Sequence, residues 1–242
     1  MYYRKFVSLF VALVIAASAV ITAFARTDSD KDQRRRKQVF EPVNIAVLIQ
    51  DDLVSQVANE IGETRDFIHS LPQGSRVMVG YITSGALQVR QPFTTDLDKA
   101  ARSLRIPTAS TSSSPFNPYV EVIEALKKFD PAWSNNALLL VSDGLDVSRG
   151  FDSTAAGNTL DLHRAIAEAN RRQVSVFTFY APSVGLTSYN RLAASYGQSS
   201  LNRLADSTGG KAFFQGTTGF VTFDSYFDRL RQALNRQYAR AS

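Results

Sequence analysis

The chain has 242 residues, 44% hydrophobic and 20% charged, with no cysteine. That composition suits one globular domain with a core large enough to need no covalent staples. Lacking cysteine, it excludes disulfides, thiolate metal sites and cysteine nucleophiles. The formal net charge is +5; loss of residues 1–25 removes Arg4 and Lys5 and no acid, leaving +3.

The first element is an export signal over residues 1–25. Phe6 to Phe24 is an uncharged, mostly apolar run behind a basic start, and Ala23-Phe24-Ala25 fits the small-x-small cleavage rule. The run is about as long as a membrane span, so an uncleaved N-terminal anchor is the alternative. Residues 26–41 read as a basic flexible linker containing Lys31-Asp-Gln-Arg-Arg-Arg-Lys37. No aromatic residue interleaves that run, so it reads as a solvated leader and not as a nucleic-acid contact.

From Val43 strands and helices alternate. Ile45 to Ile49 is a short apolar run of the kind buried in a parallel sheet. Leu53 to Leu71 carries Val54, Val57, Ala58, Ile61, Ile68 and Leu71 on one helical face, and Pro72 and Gly74 stop it. Arg76 to Thr83 is a strand, and Ser84-Gly85 turns it into Ala86 to Phe93, an antiparallel edge hairpin. Asp96 to Leu104 is a short helix behind Thr94-Thr95. Pro107 to Pro118 is a loop rich in serine, threonine and proline; Val120 to Phe129 is a helix ended by Pro131.

Asn136 to Val141 is the central strand, closing on Ser142-Asp143-Gly144. Gly150 to Gly157 reads as a loop, Leu160 to Arg172 as an amphipathic helix and Val174 to Tyr180 as a strand. Pro182 to Gln198 reads as a long irregular surface stretch, with Tyr180, Tyr189 and Tyr196 as contact candidates. A short helix over Leu201 to Ala205, a strand over Lys211 to Phe214 and a helix over Val221 to Tyr238 complete the chain. The alternation predicts an α/β fold: a mostly parallel central sheet with an antiparallel edge hairpin and helices on both faces.

Two buried strands end in acids, at Asp51-Asp52 and at Asp143. Open α/β sheets place ligand sites at such carboxyl ends. With Ser55, Ser114 and Asn117 from neighbouring loops, these acids form an oxygen-rich set of the type that hard cations select. On structural grounds alone, Asp51 or Asp52 caps the following helix and Asp143 organises the turn before Leu145. The two histidines, His69 and His163, stand in no metal-ligand spacing, and no Gly-x-Ser-x-Gly turn or Gly-rich phosphate loop occurs.

Several segments in order resemble a von Willebrand factor A-type domain of the exported bacterial group. They are Val43 to Asp52, Asp66 to Tyr81, Phe93-Thr-Thr-Asp96, Asn117-Pro-Tyr119, Leu139 to Gly144 and Leu204 to Phe213. The resemblance spans residues 43–238 and implies such a domain over 42–242. It implies a protein-binding or adhesion module rather than an enzyme, with an envelope or extracellular protein as partner. It also implies a metal-ion-dependent adhesion site for Mg²⁺ or another divalent cation, drawn from Asp51, Asp52, Ser55, Ser114, Asn117 and Asp143.

Asp143 matches the family's aspartate after the central strand. The family's Asp-x-Ser-x-Ser element is degraded here in either register: Asp51, Leu53, Ser55 or Gln50, Asp52, Val54. A metal-independent scaffold or assembly subunit is therefore the alternative, and a hydrolase using the clustered acids a lesser one.

Overall fold

The computed structural model describes residues 41–151, 159–214 and 222–238. The export segment, most of the basic linker and most of the Gly150–Gly157 loop lie outside the described residues. Six strands form one sheet: β1 Asn44–Gln50, β2 Arg76–Thr83, β3 Ala86–Thr94, β4 Asn136–Ser142, β5 Val174–Tyr180 and β6 Ala212–Phe213, in the order β3-β2-β1-β4-β5-β6. All neighbours run parallel except β2 and β3. β1, β4 and β5 are buried at every residue, as their unbroken apolar runs require when helices cover both faces.

β3 lies at the sheet edge, joined to β2 through the Ser84-Gly85 turn as expected. Its register with β2 slips between Val77 and Gly80, opposite Gln91. Pro92 cannot donate to a ladder, and an irregular edge strand is where a sheet tolerates it.

Among the described residues, six α-helices flank the sheet: α1 Ile61–His69, α2 Leu97–Arg102, α3 Pro118–Leu126, α4 Leu160–Arg171, α5 Arg191–Ser207 and α6 Asp224–Tyr238. Side chains alternate across each strand. Ile45, Val47 and Ile49 of β1 face a core shared with α1, α2 and α6, while Ala46 and Leu48 face one shared with α3, α4 and α5. On the first face an aromatic cluster centres on Phe179, whose ring meets Phe213, Tyr226 and Phe227 edge-on at 4.9–5.4 Å.

Two expectations are corrected. The helix expected over Leu53 to Leu71 starts late: Leu53 bridges to Ser183, Ser55–Glu60 is a 3-10 helix, and only then does α1 begin. Backbone bonds from Val54 N–H to Pro182 O and from Val184 N–H to Asp52 O hold the chain extended there. The second bond occupies the Asp52 carbonyl, which a helix starting at Leu53 would use for its first intrahelical bond.

The second half of the stretch Pro182 to Gln198 is helical: α5 begins at the Asn190 cap and runs 17 residues, to Ser207. Asn190 Oδ1 accepts from the backbone N–H groups of Leu192 and Ala193. The buried face of α5 begins with Ala193, Ala194 and Gly197, small residues with little apolar signal in the sequence.

Those small residues allow close backbone approach. A Cβ on Gly197 would stand 1.9 Å from the Asp143 carbonyl oxygen, whereas one on Gly62 in α1 would meet nothing within 4 Å. Gly197→Ala is therefore expected to cost at least about 1–3 kcal/mol through overpacking. Gly62→Ala is expected to be neutral or stabilising by about 0.5–1 kcal/mol. Urea unfolding of both variants checks the pair.

Candidate functional site

β1 hands its chain to α1 on one face of the sheet, and the neighbouring β4 hands its chain to α4 on the other. The crevice between their carboxyl ends is thus a topological switch point. Gln50 is the last residue of β1, one step beyond the Ile49–Val141 pair, so it stands beside Ser142. Gln50 and Asp52, two residues apart, thus reach the β4 end on one side.

The Gln50 carboxamide is 2% exposed and uses its full bonding capacity. Its Nε2 donates to Asp52 Oδ1 at 2.7 Å and to Asp143 Oδ1 at 3.2 Å. Its Oε1 accepts from Ser142 Oγ at 2.5 Å and from the Asp143 N–H at 3.3 Å. The partners settle the amide's orientation, since a flip would press its oxygen against two carboxylates. Asp143 also accepts from the Leu145 N–H at 3.2 Å and from Thr187 Oγ1 at 3.1 Å. It organises the turn before Leu145, as its position suggests, with Gly144 at φ 69°.

Six residues were expected to converge here, and three do. Asp52 and Asp143 share the Gln50 amide, and the Ser114 hydroxyl lies close enough to Asp52 to favour its ionised form. Asp51 turns the other way: Arg105 Nη1 donates to its carboxylate at 2.5 Å, and Thr108 donates through its N–H at 3.1 Å. Ser55 is exposed in the 3-10 helix. Asn117 caps α3, accepting from the Tyr119 N–H, and its Nδ2 donates to Asp161 at 2.9 Å. Neither Asp51 nor Asp52 caps the 3-10 helix, which has no side-chain cap.

Residues that no motif marked complete the site. Thr187 and its partner Ser183, 3.0 Å apart, come from the stretch read as irregular. Arg105 and Thr108 come from the segment behind α2.

A hard divalent cation takes oxygen ligands, and even Mg²⁺, which keeps several waters, needs one or two carboxylates free to coordinate it. Here both carboxylates that it would need receive N–H bonds from one amide nitrogen, which is a donor and no ligand. Among the described residues, no three acids or histidines are grouped to hold an ion. The donor set does not fit the ion that the family resemblance implies.

Burial pushes Asp52 up to about 6, and the neighbouring Asp143 carboxylate adds to the rise. Burial also raises Asp143, and lifts Glu121 on α3 to about 7. The unfolded chain releases such protons near pH 4. The folded protein binds them more tightly, so their contribution to stability is fully present below about pH 4 and is lost as pH rises through about 6 for Asp52 and about 7 for Glu121. Asp52→Asn keeps an acceptor for Gln50 and removes one titration. It is expected to raise stability at pH 7.5 by about 1–3 kcal/mol and to flatten the loss between pH 5 and 7.5. Urea midpoints at those two pH values measure both effects.

No family model and no curated protein matches the chain. Solved structures do. BatB from Bacteroides thetaiotaomicron, described as a conserved hypothetical protein, aligns with a TM-score of 0.53 at 15% identity, over 80% of this chain and 98% of that one. An aerotolerance-related membrane protein from Bacteroides fragilis aligns at 0.49 and 14% identity, over 80% and 99%. The VWA domain of SpRpn10 aligns at 0.46 and 12% identity, over 81% and 96%. Identities this low speak to fold alone, and only the first TM-score carries weight. Six strands in the order β3-β2-β1-β4-β5-β6, one antiparallel edge and helices on both faces give this chain a von Willebrand factor A-like fold.

Proposed function

We propose that the chain is an exported protein-binding module, not an enzyme, and that it meets its partner with the carboxyl end of its sheet. The observation that carries this reading is the distribution of exposed apolar side chains. Ile106, Phe116, Val120, Leu160, Tyr189, Leu192 and Phe214 are the large apolar residues left exposed among the described residues. Each lies on a segment at that one end: behind α2, at the starts of α3, α4 and α5, or just past β6. Apolar residues gathered on one rim mark contact surfaces, whereas scattered ones do not.

Phe116 supports the reading independently. It is 57% exposed, yet its backbone has φ 54°, a conformation costly for a bulky residue. The Val147 N–H donates to its carbonyl at 2.7 Å and helps hold it there. Of the three tyrosines singled out from sequence, Tyr189 is 76% exposed, Tyr180 is buried and Tyr196 packs against Phe151. Tyr189 is the one available as an amphipathic contact.

Contact at this face is direct. The acids at its centre bond to Gln50, Leu145 and Thr187, so a partner carboxylate bridged through an ion is the less favoured mechanism. Export rests on the basic start, apolar run and Ala-x-Ala ending of residues 1–25. No helix among the described residues is long and apolar enough to cross a membrane.

A photo-crosslinking side chain placed at Phe116 or Tyr189 is expected to trap a protein partner in envelope extract. The same group at Lys128, an exposed residue at the opposite end, is expected not to. Equal adducts at both ends, or none at the rim, would defeat the reading. N-terminal sequencing of the protein isolated from its native host tests export: the expected start is Arg26, and a start at Met1 favours the uncleaved anchor.

A further inference from the structure

We infer that the Gln50 carboxamide does in this chain the structural work that a divalent cation does in a metal-ion-dependent adhesion site: it draws two buried carboxylates from different loops onto one group and ties β1 to β4. The inference goes beyond partner binding and does not depend on the partner.

Three observations carry it. Gln50 ends β1, in the register where the family pattern has its leading aspartate, so the residue that would hold an ion is the one replaced. Its Nε2 presents one N–H to Asp52 and the other to Asp143, so a single neutral group is shared by two buried acids. Its Oε1 is bonded to Ser142 and to the Asp143 N–H, so the amide is fixed at both ends and has no capacity left over. A neutral group that donates to both carboxylates relieves their repulsion without the octahedral shell that Mg²⁺ requires.

The substitution that reverses this is Gln50→Glu, which exchanges the bridging NH₂ for an anionic oxygen at nearly constant shape. Three carboxylates then crowd one buried site and repel, unless a cation joins them.

The test is thermal unfolding followed by circular dichroism, with chelator and with millimolar Mg²⁺ or Mn²⁺. The wild type is expected to melt at the same temperature in all three conditions. Gln50→Ala is expected to melt lower by roughly 4–8 °C, with no recovery on adding metal. Gln50→Glu is expected to melt lower in chelator and to recover with Mn²⁺.

A wild-type melting temperature that rises with metal overturns the inference, since the amide would then not stand in for an ion. So does Gln50→Ala melting like the wild type. A folded Gln50→Glu that melts identically with and without metal overturns it as well. If Gln50→Glu does not fold in chelator, refolding on adding Mn²⁺ supports the inference and failure to refold counts against it. The wild-type and Gln50→Ala arms decide independently.

Discussion

Two carboxylates, Asp52 and Asp143, are buried within reach of one amide nitrogen at the point where neighbouring strands send their chains to opposite faces of the sheet. Burying one ionised acid is costly, and burying two together costs more because each raises the other's proton affinity. The Gln50 carboxamide offsets this by donating to both while it accepts from Ser142 and the Asp143 backbone. The rest of the carboxyl end follows from that tie. Asp143 is held in place, so it can order the turn to Leu145 and receive the Thr187 hydroxyl. Asp52, held likewise, leaves its carbonyl facing Val184, and the loops after β1 and β5 join through backbone bonds.

Close packing carries the arrangement outward. Gly197 lets α5 lie against the Asp143 carbonyl, and Gly144 turns the chain beneath Leu201. The Tyr119 hydroxyl donates to the Gly144 carbonyl at 2.6 Å, fastening the start of α3 to the same turn. On the other side, Asp51 draws in Arg105 and Thr108 and so sets the segment behind α2. With these segments pinned from below, their apolar side chains stand outward together. The apolar rim and the polar centre that braces it are thus one construction. Rigid presentation of aromatic contacts reduces the ordering cost of binding.

Much of the fold was legible in the chain because its signals are local. The runs at Asn44–Gln50, Asn136–Ser142 and Val174–Tyr180 are apolar without interruption, and Ser84-Gly85 marks the hairpin. The site was legible only in part. Asp143 declared itself by ending a buried strand, and Gln50 entered one of two registers for a degraded motif. Nothing local marked Thr187 as its partner 44 residues away, or Arg105 as the partner of Asp51 54 residues away. The start of α5 was missed for a related reason: Ala193, Ala194 and Gly197 are selected for close approach and carry almost no hydrophobic periodicity.

The sequence by itself determined the strands, the doubly covered parallel sheet and the presence of acids at its carboxyl end, since these follow from side-chain period and from which runs must be buried. Tertiary structure alone decided which of those acids meet. Adjacent residues at a strand end point to opposite sides, so Asp51 goes to Arg105 while Gln50 and Asp52 turn to the other side, where the Gln50 amide donates to both Asp52 and Asp143. A one-residue change of register would exchange the two sets. The pairing of β1 with β4 makes that choice, and with it places the Gln50 amide beside Ser142 and Asp143.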